Sequence, residues 1–152
     1  MTTKADLSVL VPIDGSKATK AVLNAGIRAA ISENAHLDLL QIVILNQVVD
    51  NYNQAQAQTS ADATYLQVKL ATERLNDLKK QALDAGVKSC DIHIRFGSPK
   101  RVIAKDFPQD HPCRLIVMGS TGMNRIERTV LGSVTSYVIR HAIADVMVVH
   151  VH

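Results

Sequence analysis

Apolar runs of strand length alternate with stretches of helical periodicity along most of this chain. Leu7 to Ile13 is almost wholly apolar, Leu37 to Leu45 is interrupted only by Asp38 and Gln41, and Arg114 to Met118 and Val146 to Val151 are similar runs. Near-continuous apolar runs are what parallel strands covered on both faces require, because neither side chain direction meets water. Asp91 to Phe96 differs: Ile92 and Ile94 fall between polar neighbours, which predicts a strand nearer the sheet edge. Pro12 has no N–H to give a ladder, so pairing of the first strand ends there and the chain leaves through the turn Asp14-Gly15-Ser16.

Between these runs the period changes to that of helices. Ala18, Ala21, Val22, Ala25 and Ala29 recur at three- and four-residue steps, predicting a helix from Lys17 to about Glu33, capped by Ser16. Leu66, Leu70, Leu75, Leu78 and Ala82 predict a long second helix closed by Gly86. Ser98 as cap and Pro99 at the first helical position begin a third, short helix through Val102 and Ile103, expected to stop before Pro108. Ser133 to about Ala142 is the fourth, with Ser133 as its N-cap. Asn46 to Thr64, rich in Asn, Gln, Ala and Asp, has no sustained apolar stripe. It reads as a mobile crossover loop and the first protease site, or as a lid or partner segment.

Five strands alternating with four helices predict an α/β fold: a five-stranded parallel sheet, doubly wound, with right-handed crossovers. At 152 residues the expectation is one domain over 1–152. No apolar run approaches the roughly 20 residues of a membrane span, and no export signal is evident, so a cytoplasmic protein without membrane contact is expected. The net charge of +3 comes from 17 basic and 14 acidic residues spread along the chain, with three tyrosines and two phenylalanines to stack on bases, which argues against a nucleic-acid partner. Cys90 and Cys113 lack any zinc or redox spacing and read as reduced, partly buried thiols. His150 and His152 would share a face of the last strand; a metal pair competes there with an ordinary strand end in solvent.

The stretch that asks for a ligand is Gly119-Ser120-Thr121-Gly122, nine residues, then Gly132-Ser133, between the fourth strand and the fourth helix. Glycine leaves backbone N–H groups unobstructed, and a helix N-terminus adds roughly half a positive charge, so a phosphate is the fitting guest. The plain alternative is a set of turns linking strand to helix. Arg125 and Arg128 flank the loop as phosphate partners or as solvated charges. A P-loop frame is missing, and no Ser-His-Asp or Cys-His constellation can be assembled from spacing.

The Gly-x2-Gly-x9-Gly-Ser spacing, together with Val11-Pro-Ile-Asp14-Gly-Ser16 after the first strand, resembles the ATP-binding branch of the universal stress protein family. The resemblance covers essentially the whole chain and is looser from about Asn46 to Thr64. It implies an adenine nucleotide alpha hydrolase-like sheet of order 3-2-1-4-5, in which strands 1 and 4 open a crevice at their carboxyl ends. It further implies adenine and ribose contacts at Pro12, Asp14 and Ile42, with Met118 lining the pocket. Phosphates would meet Gly119, Ser120, Thr121, Gly122, Met123, Asn124, Gly132, Ser133 and Val134. Asp14 could instead only shape its turn.

One departure stands out. Thr121-Gly-Met123 occupies the place where many relatives carry His-Gly-Arg or His-Gly-Lys, which removes a basic residue; phosphate affinity falls, or Arg125 substitutes. The implied cofactor is ATP, with ADP or AMP as alternatives and Mg2+ or Mn2+ held through the phosphates. The implied partner is a second copy through strand 5, whose Val-rich edge is open in this order. The favoured function is a nucleotide-dependent stress-response factor without catalysis. A slow metal-dependent nucleotide hydrolase and a nucleotide-free dimeric interaction module are the alternatives.

Overall fold

The apolar run near the N-terminus forms β1 (Ser8–Pro12), and the rest of the sheet assembles around it. The computed structural model describes residues 7–44, 54–120 and 131–150, with backbone alone over 54–60. The other strands are β2 (His36–Val43), β3 (Cys90–Phe96), β4 (Cys113–Gly119) and β5 (Asp145–Val149). All pairings are parallel and the spatial order is β3-β2-β1-β4-β5, as expected.

The helices are α1 (Thr19–Glu33), α2 (Gln54–Asp84), a composite α3 (Pro99–Arg101, Val102–Asp106 and Phe107–Asp110) and α4 (Ser133–His141). Strand alternation sorts the core into two layers. Val9 and Val11 of β1 and Ile13 just after it pack with Leu37, Leu39 and Val117 against Val22, Leu23 and Ile27 of α1 and Leu75 and Leu78 of α2. Leu10 points the other way, joining Leu40, Ile116 and Met118 under Ile103 and Phe107 of α3 and Val138 of α4. The sheet is therefore doubly wound. The small face of α1 has a particular consequence at Gly26, where a methyl group would collide with the buried Val11 side chain, so glycine sets how close this helix lies.

Three sequence expectations need correction. The supposed loop is shorter than Asn46 to Thr64, because α2 begins at Gln54 and Gln54 to Thr64 is helical. Its alanines and glutamines are strong helix formers, and as an extension of a segment anchored by Ala71, Leu75 and Leu78 they need no apolar stripe of their own; Ala61, Asp62 and Ala63 are exposed. Residues 45–53 lie outside the described residues. At its other end α2 stops as expected, with Gly86 at φ +112° and its N–H on the Leu83 carbonyl.

The helix after β3 does not stop before Pro108. It runs from Pro99–Arg101 through a π-helical turn, Val102–Asp106, into Phe107–Asp110, and this continuous segment is α3. Proline lacks the N–H that an α-helix needs and its ring crowds the preceding turn. Here the wider turn, with the Phe107 N–H on the Val102 carbonyl, shifts the bonding register just ahead of Pro108. The helix then continues, and both Phe107 and Pro108 are buried.

The third correction concerns helix starts. α1 begins at Thr19 instead of Lys17, and Ser16 supports the preceding turn: its hydroxyl accepts from the Ala18 N–H at 3.3 Å and its carbonyl from the Thr19 N–H at 3.1 Å. In α4 the N-cap is Gly132, with Ser133 the first helical residue.

Candidate functional site

Parallel strands whose helices leave to opposite faces open a crevice at their carboxyl ends, and β1 and β4 are such a pair. On the β1 side, Pro12 is the last strand residue and the buried Ile13 adds one bond to the Leu40 carbonyl at 2.7 Å. The chain then turns outward. Asp14 is exposed, and its Oδ1 accepts the Ser16 N–H at 2.9 Å, the turn-shaping role that the sequence left open. That bond engages one carboxylate oxygen, so the other remains available for a ligand hydroxyl or amine.

On the β4 side, Met118 is buried, Gly119 ends the strand, and the buried Ser120 donates its N–H to the Val149 carbonyl at 3.0 Å. The chain returns at Gly132, whose N–H donates to the Ser120 carbonyl at 2.8 Å. A second strap runs from the buried Thr135 hydroxyl to the Gly119 carbonyl at 2.8 Å. These bonds fix the first turn of α4 against the end of β4. Gly119 and Ser120 are thus brought together with Gly132, Ser133 and Val134, although eleven residues of chain separate Ser120 from Gly132. The amides of Ser133, Val134 and Thr135 belong to a first helical turn, which has no intrahelical acceptors for them. Thr121, Gly122, Met123 and Asn124, and with them Arg125 and Arg128, lie outside the described residues.

Ile42 stands on β2 opposite Arg95 of β3, half-buried among the residues packed under α3 and α4. A cation that the sequence did not single out also reaches this end of the sheet. Arg74, on α2, donates to Gln41 Oε1 at 3.1 Å, and a Cβ built on Gly15 would lie 3.3 Å from its guanidinium carbon. The fold that carries α2 over the Asp14-Gly15 turn is what brings Arg74 to this end of the sheet.

The family model for the universal stress proteins matches residues 8–150. The chain belongs to the universal stress protein family. A provisionally named universal stress protein of Staphylococcus epidermidis is 33% identical over 142 residues, covering 93% of this chain and 82% of that protein. Among solved structures, the universal stress protein UspA from Lactobacillus plantarum superposes with a TM-score of 0.82 at 28% identity, covering 95% of this chain and 97% of that one. A universal stress protein crystallised with cAMP has a TM-score of 0.64 at 23% identity, covering 96% of this chain and 98% of that one. Among the described residues of this universal stress protein, no helix is long and apolar enough to cross a membrane.

The opposite, amino-terminal end of the sheet holds a polar group that the family motifs do not include. His36 of β2 lies 3.2 Å from both Asp38 and Asp91, and His93 Nε2 lies 2.7 Å from Asp38 Oδ1. The hydrogen bond to Asp38 raises the pKa of His36 above its usual value, with both carboxylates adding to this against the opposing effect of burial. Burial alone would raise Asp38, but bonds from His36 and His93 outweigh it and hold the carboxyl well below the usual range. Burial pushes the Cys90 and Cys113 thiols up to about 12, so both stay protonated near neutrality.

These shifts have opposite consequences for stability. A raised histidine contributes fully below its unfolded pKa of about 6.5, and the contribution is lost as pH rises through the folded value. A depressed aspartate contributes above about 3.9, and is lost as pH falls through its folded value. In chelator-containing buffer, stability from this group is therefore expected to be greatest between about pH 4 and 6.5 and to decline on the alkaline side. Urea midpoints at pH 5.5 and pH 8.5 check this: the alkaline fall should be smaller in His36→Gln than in wild type. An equal fall in both proteins would contradict the assignment to His36.

Proposed function

We propose that this chain is an ATP-binding universal stress protein, a single-domain cytoplasmic factor whose nucleotide state alters its associations during stress. ADP and AMP are competing guests, and Mg2+ or Mn2+ joins through the phosphates. The observation that carries this reading is the Gly132 N–H on the Ser120 carbonyl, which sets Gly119 and Ser120 beside Gly132 and Ser133 at the start of α4. Backbone amides and a helix N-terminus aimed into one crevice suit phosphate oxygens without any dedicated lysine. Arg74 adds positive charge near the turn that bears Asp14, a counterpart to the basic residue missing at Met123. The relative crystallised with cAMP supports an adenine nucleotide as guest.

Binding rather than turnover is the favoured role, with ATP hydrolysis at most slow. The described crevice residues offer an exposed aspartate already engaged in its turn, and no histidine or cysteine placed as a base. Saturating ATP with magnesium under single-turnover conditions tests this: bound ATP should be recovered intact. Stoichiometric conversion to ADP would make the chain a nucleotide hydrolase instead. The protein is proposed to act as a homodimer through β5, whose outer edge is unpaired in the sheet.

A further inference from the structure

At the amino ends of β2 and β3, on the α3 face of the sheet, an imidazole nitrogen points between two carboxylates. His36 Nε2 is 3.2 Å from Asp38 Oδ1 and 3.2 Å from Asp91 Oδ2, and one ligand atom from each of the three residues falls within 4.8 Å of the others. A bare lone pair there would face two negative oxygens, so this arrangement calls for positive charge among the three. A proton on His36 is one source. A divalent cation is the other, and the surroundings favour a built site.

We propose that His36, Asp38 and Asp91 bind a divalent transition-metal ion, zinc by preference, at the end of the sheet opposite the nucleotide crevice. Tetrahedral zinc with bonds of about 2.0–2.1 Å separates its ligand atoms by about 3.3 Å, close to the two spacings seen. Two carboxylates and a neutral imidazole balance a 2+ ion. The nitrogen ligand selects zinc or a similar transition metal over calcium and magnesium, which prefer all-oxygen shells.

The outer contacts are those a metal site uses to orient its ligands. His36 Nδ1 lies 2.6 Å from Ser89 Oγ; with the proton assigned to Nδ1 as donor, Nε2 is left free to ligate. His93 Nε2 donates to Asp38 Oδ1 at 2.7 Å, and the His93 ring is itself held edge-on by Phe107 with centroids 4.8 Å apart. The Ser8 hydroxyl is buried without a partner in normal hydrogen-bonding geometry, yet lies near enough to Asp38 for its dipole to favour the carboxylate. Asp38 is 5% exposed and Asp91 64%, so the ion would meet a fixed inner ligand and a solvent-facing outer one.

Isothermal titration of chelator-stripped, nucleotide-free protein with zinc tests the site. One ion per chain should bind, with a dissociation constant in the micromolar range or tighter. His36→Ala and Asp91→Asn should each weaken it at least tenfold, circular dichroism verifying the fold; Asp91 is mostly exposed, so its variant separates loss of ligation from loss of structure. His150→Gln with His152→Gln should leave the affinity unchanged. Cobalt should give ligand-field bands without thiolate charge transfer. The proposal is overturned by any of four results: no saturable binding, unchanged affinity in both ligand variants, loss of binding in the double histidine variant, or a thiolate band from Cys90 or Cys113. None of these depends on whether ATP binds.

Discussion

Replacing Gly132 with valine is expected to weaken ATP binding by about 100-fold or more while leaving the fold intact. Gly132 sits at φ −63° and ψ 158°, an extended conformation that valine adopts readily, so backbone strain does not enter. Valine also keeps the N–H that donates to Ser120. What changes is the space above the first turn of α4, where two methyl groups would stand over the amides proposed to hold phosphate. Losing two charge-assisted hydrogen bonds of about 1.5 kcal/mol each amounts to roughly 3 kcal/mol, or about two powers of ten. Gly122→Val is expected to act in the same way. Calorimetric titration with ATP, alongside thermal unfolding to verify stability, reads the effect; undiminished affinity in both variants would remove phosphate from this site.

Val148→Pro is expected to convert a dimer to monomers without dismantling the sheet. β5 is the last strand of the order β3-β2-β1-β4-β5 and pairs with β4 on one side only. The Val149 carbonyl faces β4, where it accepts the Ser120 N–H. Backbone direction alternates along a strand, so the Val148 N–H points to the open edge, and proline there removes a donor from the outside while sparing the β4 ladder. Antiparallel pairing of two such edges around a two-fold axis would satisfy both. Exposed Ile139, Ile143 and Met147, on α4, the following turn and β5, supply apolar area beside the edge. Sedimentation at micromolar concentration should find wild type dimeric and the variant monomeric. A monomeric wild type, or an undisturbed dimer in the variant, would refute an interface on β5.

Much of the fold was legible because burial leaves a periodic trace. Val9, Val11 and Ile13 alternate with Leu10 between two helical layers, and that two-sided covering is why the run around them contains so little polar residue. The alternation of β3 likewise marked its place at an edge. Strand order came with the family resemblance, since periodicity says nothing of which strands are neighbours. The extension of α2 was missed because Gln54 to Thr64 forms helix through propensity, as the continuation of a segment anchored further along the chain, and needs no stripe of its own. Pro108 misled because a π turn ahead of it relieves the clash that usually ends a helix.

The crevice was legible in part for a different reason. Glycine spacing identified Gly119 and Gly132, but their closure through Ser120 is a tertiary bond, and Arg74 arrives from a helix far along the chain. The His36, Asp38 and Asp91 group was hidden more deeply. Asp38 registered only as an interruption of an apolar strand, and Asp91 and His93 as the polar half of an edge-strand pattern. Only the β2–β3 register, with Asp38 opposite Asp91, makes them one site.

The most direct test of the nucleotide reading is equilibrium dialysis of the purified wild-type chain against labelled ATP with magnesium. The expected result is one nucleotide retained per chain at saturation, released by excess unlabelled ATP. A folded protein that holds no more label than the surrounding buffer would contradict the account and leave the glycine motif as a turn.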